Sequence, residues 1–274
     1  MRLLALALWL AASPARDLYE RTEYRAALAA LKPEASSDPA VWHLAGRAHF
    51  QLGEQTKAIA WFEKAAAAEP KNSEHIHWLG KAWGRRAETS SFLAAPKYAV
   101  ECRRAFEKAV EVDPKNTEAW ADLLEYYLSA PGFLGGGMDK AVRAAERIGA
   151  LDPVEKHFAQ AKLAEARKEW AAAEQNWKRA AELAPKQAGR WIDLAQFYAR
   201  QKRAADADAA LERAAQAEPA APKVWFARAQ IFVEGKRNPA DARSLLTRYV
   251  GAPLTPDDPT RDEARALLRK LPQP

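Results

Sequence analysis

The run APGFLGGGMDK, residues 130–140, is the most glycine-dense stretch of the chain, and Gly132 and Gly137 stand five apart as in a GxxxxG loop. Such a loop cradles phosphate when a strand precedes it and Lys-Ser/Thr follows it. The Lys then reaches the phosphates and the hydroxyl holds magnesium. Here Met138 and Asp139 occupy those two positions, and Asp139 would set a negative charge against the ligand. The preceding segment, TEAWADLLEYYLSA, places Trp120, Leu123, Leu124, Tyr127 and Leu128 three and four residues apart, which is a helix face and not a strand. Nucleotide binding is therefore set aside. The other reactive residues are equally sparse. Cys102 is the single cysteine, so no intramolecular disulfide can form, and its place in a helical pattern suits a small packing residue better than a nucleophile. His75 and His77 are two apart, which sends them to different faces of a helix. The HExxH, CxxC and GxSxG signatures are absent, and no Ser-His-Asp spacing can be drawn. The expectation is a chain with no catalytic residue, no metal and no cofactor.

Composition is that of an ordinary globular protein, with 49% hydrophobic and 28% charged residues in 274. The formal net charge of +6 favours anionic partners, but it is spread along the chain. No Arg/Lys cluster interleaves with stacking aromatics, so nucleic acid is not expected. The opening MRLLALALWLAASPAR has a basic residue, ten apolar residues from Leu3 to Ala12, and the small-x-small run Ser13-Pro14-Ala15. That is the pattern of a secretory signal peptide over residues 1–15, with a mature chain beginning near Arg16. Its apolar run is about half of the roughly 20 residues a spanning helix needs. The expected location is periplasmic or secreted, with no transmembrane segment.

The strongest signal is self-similarity. Residues 39–70 read PAVWHLAGRAHFQLGEQTKAIAWFEKAAAAEP and residues 188–219 read AGRWIDLAQFYARQKRAADADAALERAAQAEP. Both carry Trp at position 4 (Trp42, Trp191), a small residue at 8 (Gly46, Ala195), Ala at 20 (Ala58, Ala207), a large apolar residue at 24 (Phe62, Leu211), Ala at 27 (Ala65, Ala214) and Pro at 32 (Pro70, Pro219). The interval is 34 residues from Pro185 to Pro219 and again to Pro253. It shortens to 32 between Pro153 and Pro185, and stretches to 44 between Pro70 and Pro114 and to 39 between Pro114 and Pro153.

This pattern resembles the tetratricopeptide repeat, W-x2-L-G-x2-Y…A-x3-F…P over 34 residues. The glycine-rich loop is also similar to PG-x-x-GG loops of exported bacterial proteins of that kind. The resemblance implies an all-α fold, a right-handed superhelical solenoid of helix-turn-helix repeats, in which small residues at positions 8 and 20 let the two helices approach. One pair cannot bury its own apolar face, so neighbours stack to share a core. The expected organisation is a capping half-repeat over 16–38, about six repeats over 39–253 with insertions near 85–99 and 129–138, and a capping helix over 254–274.

Function then follows from the surface. In this fold positions 2, 5, 9 and 12 of each first helix line the concave groove. They place His43 and Arg47 from the first repeat and His77 and Lys81 from the second there, with Arg85 just beyond. The expected groove is basic at this end and suits an acidic peptide. Relatives that clamp C-terminal carboxylates use Lys and Asn where His43 and Arg47 stand, so that ligand is not carried over. The two insertions lie on one edge and bring Phe92 with Leu93 and Phe133 with Leu134 as a second candidate docking surface. The leading expectation is a non-catalytic protein-interaction module or assembly scaffold of the bacterial envelope. The alternatives are a binder of anionic wall polymer or membrane surface and, third, an enzyme whose site the sequence does not display.

Overall fold

A computed structural model describes residues 14–272. The proposed leader segment lies outside the described residues except for Pro14 and Ala15, which open the first helix. The described chain is helical throughout and falls into two compact units divided after Asp152.

The first unit contains α1 (Pro14–Glu20), α2 (Tyr24–Leu31), α3 (Pro39–Gln51), α4 (Gln55–Ala68), α5 (Ser73–Glu88), α6 (Ala95–Val112), α7 (Thr117–Ser129) and α8 (Met138–Leu151). The second contains α9 (Pro153–Ala166), α10 (Trp170–Leu183), α11 (Ala188–Arg200), α12 (Ala204–Ala217), α13 (Pro222–Glu234), α14 (Pro239–Val250) and α15 (Arg261–Lys270). Consecutive helices pair as hairpins, and hairpins pack against their neighbours within each unit. Residues 16–38 hold two helices and a short 3-10 turn, Pro33–Ala35. The fourth and sixth repeats also form full hairpins; Pro239 suits the first turn of α14, where its missing N–H leaves no helical bond unmade.

Each hairpin closes on a shared volume. In the first repeat Gly46 lies against the ring of Phe62, and in the second Gly80 lies against Phe106. The third repeat reverses the sizes, with Leu124 at position 8 and Ala145 at 24, both buried. Ala161 with Trp177 and Ala195 with Leu211 continue the exchange in the core of the second unit. A close-packed interior tolerates redistribution of volume better than a change in its sum. In three repeats the Trp at position 4 donates its Nε1–H to the carbonyl six residues back, from Trp42 to Ser36, Trp120 to Pro114 and Trp191 to Pro185, at 3.1–3.2 Å. This ties the first, third and fifth repeats to the turns that precede them.

Five short inter-helix turns share one device. Thr22, Gly53, Lys168, Lys202 and Lys236 have φ between +52° and +72°, and the next residue's N–H reaches back to the closing turn of the first helix. The second and third repeats lack this turn because insertions replace it. The first insertion is spent mainly on length: α5 has 16 residues and α6 has 18, against 13 and 14 for α3 and α4. The second forms a 3-10 turn, Gly132–Leu134, that packs on α6.

Candidate functional site

The glycine-rich loop is not an anion cradle, and the reason is visible in its amides. The N–H groups of Leu134 and Gly136 donate to Pro131, that of Gly135 to Gly132 and that of Gly137 to Tyr127. The donors a phosphate would need are turned inward and used. Gly135 and Gly137 have φ of +90° and +144°, and a Cβ on Gly136 would lie 1.8 Å from the carbonyl oxygen of Ala130. The glycines are there to let the chain fold back tightly before α8.

That fold-back brings the loop to the face built by α3, α5 and α7. There a pocket of about 560 Å³ opens, with Phe50, Trp78, Phe106 and Tyr126 as its aromatic lining. Lys81, Arg85 and Glu88 come from α5, Asp122 and Glu125 from α7, and Pro131 and Leu134 from the loop. Tyr126 Oη donates to the carbonyl of Leu134 at 2.9 Å, so the loop is attached to the wall it extends. Cys102 lies at the base, buried, and burial pushes its thiol up to about 12. It is a neutral packing residue there.

The structure corrects the expected basic groove in three places. His43 is buried, its Nδ1 2.9 Å from Nδ1 of His75, so one ring donates to the other. Its Nε2 faces Glu74 at 3.4 Å. Burial holds the His43 imidazole below its usual value, and the closeness of that ring keeps the Glu74 carboxyl down at about 2. His77 is also buried and bonds Asp122 at 2.7 Å. Arg47 is partly buried, its guanidinium 4.6 Å from the Trp78 ring centre and 5.1 Å from that of Tyr19. These three side chains are structural. Lys81 and Arg85 do reach the pocket, but beside acids: Lys81 lies 3.8 Å from Asp122 and Arg85 3.7 Å from Glu88. The pocket is therefore aromatic with mixed charge, not basic.

The loop-edge residues separate as well. Phe92, Leu93 and Phe133 are 90%, 89% and 82% exposed, so the two FL pairs do not pack on each other. Leu134 turns inward and lines the pocket. The groove and the inserted edge, two alternatives in sequence, thus share a boundary. Sequence reasoning passed over Trp78 and Asp122. Both sit at position 6 of their repeats, one residue from the groove positions used, and a reading of the whole helix face would have included them.

Among the described residues no group of three or more His, Cys, Asp or Glu side chains is placed to hold a metal ion, and no helix is long and apolar enough to cross a membrane.

Helix hairpins that stack on shared small-for-large contacts and expose an aromatic-lined face define a helical-repeat binding protein. A tetratricopeptide repeat profile matches residues 15–73 and 204–259, so the chain carries tetratricopeptide repeats in both of its units. Its fold is similar to that of a tetratricopeptide repeat protein from Parabacteroides merdae, with TM-score 0.61, 14% identity, and coverage of 93% of this chain and 95% of that one. It is also similar to a thermophilic TPR protein of Thermus thermophilus, with TM-score 0.55, 21% identity, and coverage of 67% and 94%. A third likeness is to a chain of the APC/C hetero-tetramer Cut9–Hcn1, with TM-score 0.53, 15% identity, and coverage of 93% of this chain and 47% of that one. No curated protein matched the sequence.

Proposed function

We propose that this protein is a non-catalytic interaction module of the bacterial envelope, and that it docks an extended peptide across the pocket between α5, α7 and the second inserted loop. The fold supports the coarse reading, since tetratricopeptide repeats are generally protein-interaction or scaffold modules. One observation carries the finer one: Leu134 from the insertion lines the same pocket as Lys81 and Arg85. The insertion extends an aromatic wall that α5 and α7 begin. A ligand that buries an apolar side chain against Trp78 and Phe106 while pairing a carboxylate with Lys81 or Arg85 meets both kinds of surface. Export rests on the N-terminal MRLLALALWLAAS pattern.

The test is crosslinked capture from native envelopes with wild type, Lys81→Glu/Arg85→Glu, Leu134→Asp and Arg47→Glu. A peptide partner held by wild type and lost in the first two variants supports the pocket. A partner retained by both rejects it. Loss of folding is monitored separately for Arg47→Glu, because Arg47 packs between Tyr19 and Trp78. Fractionation and N-terminal sequencing of the expressed protein decide export, and a protein that keeps Met1 in the cytoplasm rejects it.

A second reading is favoured by the exposed trio Phe92, Leu93 and Phe133, beside which Lys97 is exposed. Apolar loop tips near a cation suit an anionic membrane surface. Sedimentation with anionic vesicles, lost on Phe92→Ser/Phe133→Ser, supports that reading.

A further inference from the structure

The third repeat carries a second depression that the peptide site does not use. It lies between α7 and α8 and encloses about 580 Å³. Trp120 and Tyr127 wall one side, and Lys140, Arg143 and Arg147 the other. Spacings of three and four residues set these cations in one stripe along α8. Glu146 is the one acid among the lining residues. Arg143 and Arg147 are exposed and, among the described residues, have no hydrogen-bond or ion-pair partner.

The corresponding place is covered in three other hairpins. Lys64 lies 4.0 Å from the Trp42 ring centre, Arg213 lies 5.0 Å from that of Trp191, and Arg248 lies 3.7 Å from that of Trp225. In the third repeat Arg147 occupies the position of Lys64 and Arg213, yet no described cation lies over Trp120. The glycine-rich insertion is hydrogen-bonded to two of the lining residues. Gly137 N–H donates to the carbonyl of Tyr127 at 2.8 Å, and Lys140 Nζ donates to the carbonyl of Gly135 at 2.9 Å. The loop thereby fixes one aromatic wall and the first cation of the stripe.

We infer that this depression binds a small dianion carried on a planar apolar group, of the aryl phosphate or aryl dicarboxylate class. Two unpaired guanidinium forks match the geometry of an oxyanion. Three cations against one acid leave an excess of two positive charges, which sets the ligand charge. The uncovered indole offers a flat apolar surface for the rest of the molecule. The volume falls within the range of about 300–1,000 Å³ usual for small-molecule sites.

The experiment is calorimetric titration of the full chain with phenyl phosphate and with phthalate, each beside inorganic phosphate and benzyl alcohol. The expected result is one-site binding of an aryl dianion, tighter than either inorganic phosphate or benzyl alcohol, and weaker as salt rises. Whether phenyl phosphate or phthalate binds tighter assigns the oxyanion. Arg143→Ala/Arg147→Ala should weaken binding by about tenfold or more, with circular dichroism and melting unchanged because both side chains are exposed. Trp120→Leu should bring the aryl ligand down towards inorganic phosphate. No saturable heat for either dianion up to about 5 mM overturns the inference. So does equal affinity for inorganic phosphate, or unchanged affinity in the double-arginine variant.

Discussion

Replacing Gly46 by Ala tests the contact on which each hairpin closes. A Cβ at Gly46 would lie 2.7 Å from Cε1 and 2.8 Å from Cδ1 of Phe62. Ordinary carbon–carbon contact begins near about 3.5 Å, so the ring must retreat by roughly 0.8 Å. Phe62 has little room to do so. It is fully buried, stacked on Trp78 with centroids 5.9 Å apart, and meets His43 edge-on at 5.5 Å. Overpacking of this kind costs about 1–3 kcal/mol. The gain in helix propensity from Gly to Ala offsets at most about 1 kcal/mol. The expected net loss is about 1 kcal/mol. Gly189 separates the two effects, because a Cβ there meets nothing within 4 Å. Gly189→Ala carries the propensity gain alone and should equal or exceed wild type in urea unfolding followed by circular dichroism. Gly46→Ala should fall below it. Adding Phe62→Leu to Gly46→Ala recreates the Ala195 and Leu211 pairing of the fifth repeat, so the two changes together should cost less than their sum. Equal midpoints for the two alanine variants, or strict additivity of the cycle, would refute the shared-volume account.

Gly136→Ala should destabilise the second insertion, because its Cβ would meet backbone at 1.8 Å and not a movable side chain; protease cleavage near residue 136 should accelerate, and an unchanged cleavage rate would contradict the loop geometry. Stability should fall as pH drops through and below about 6.5, since buried His43 is neutral when folded and the unfolded chain takes up the proton. A further loss should follow between about 4.5 and about 2 as Glu74 is protonated. Melting temperatures from pH 8 to pH 4 should show the upper step in wild type and lose most of it in His43→Gln; the same slope in both would remove His43 as the cause. Cys102 should resist thiol reagents at pH 8 in the folded chain, because its thiol is buried and held protonated to about 12. It should react at once in denaturant, and rapid modification without denaturant would mean that the pocket floor opens.

What could be read in advance depends on whether a residue repeats. The Trp at position 4, the small residue at 8 and the Pro at 32 recur because every hairpin poses the same packing problem, so their spacing displays the fold. The histidines do not recur. Helix periodicity gives His43 and His77 equivalent positions in their repeats, but it does not say how far a neighbour reaches over them. His43 is covered by His75 and Trp78, and His77 by Phe106 and Asp122, partners 29–45 residues away in sequence. The insertions are less legible still, because they have no template elsewhere in the chain. The first was absorbed into longer helices, which leaves Phe92 and Leu93 exposed at the bend. The second takes its shape from contacts with α6 and α7: the Tyr127 carbonyl receives Gly137, the Arg103 side chain crowds Gly135, and the Tyr126 hydroxyl holds Leu134. Three glycines that looked like a ligand loop are therefore a consequence of where α6 and α7 already stand. The chemistry lies beside them, in the side chains that this fold-back sets in place: Leu134 on one face and Lys140 on the other.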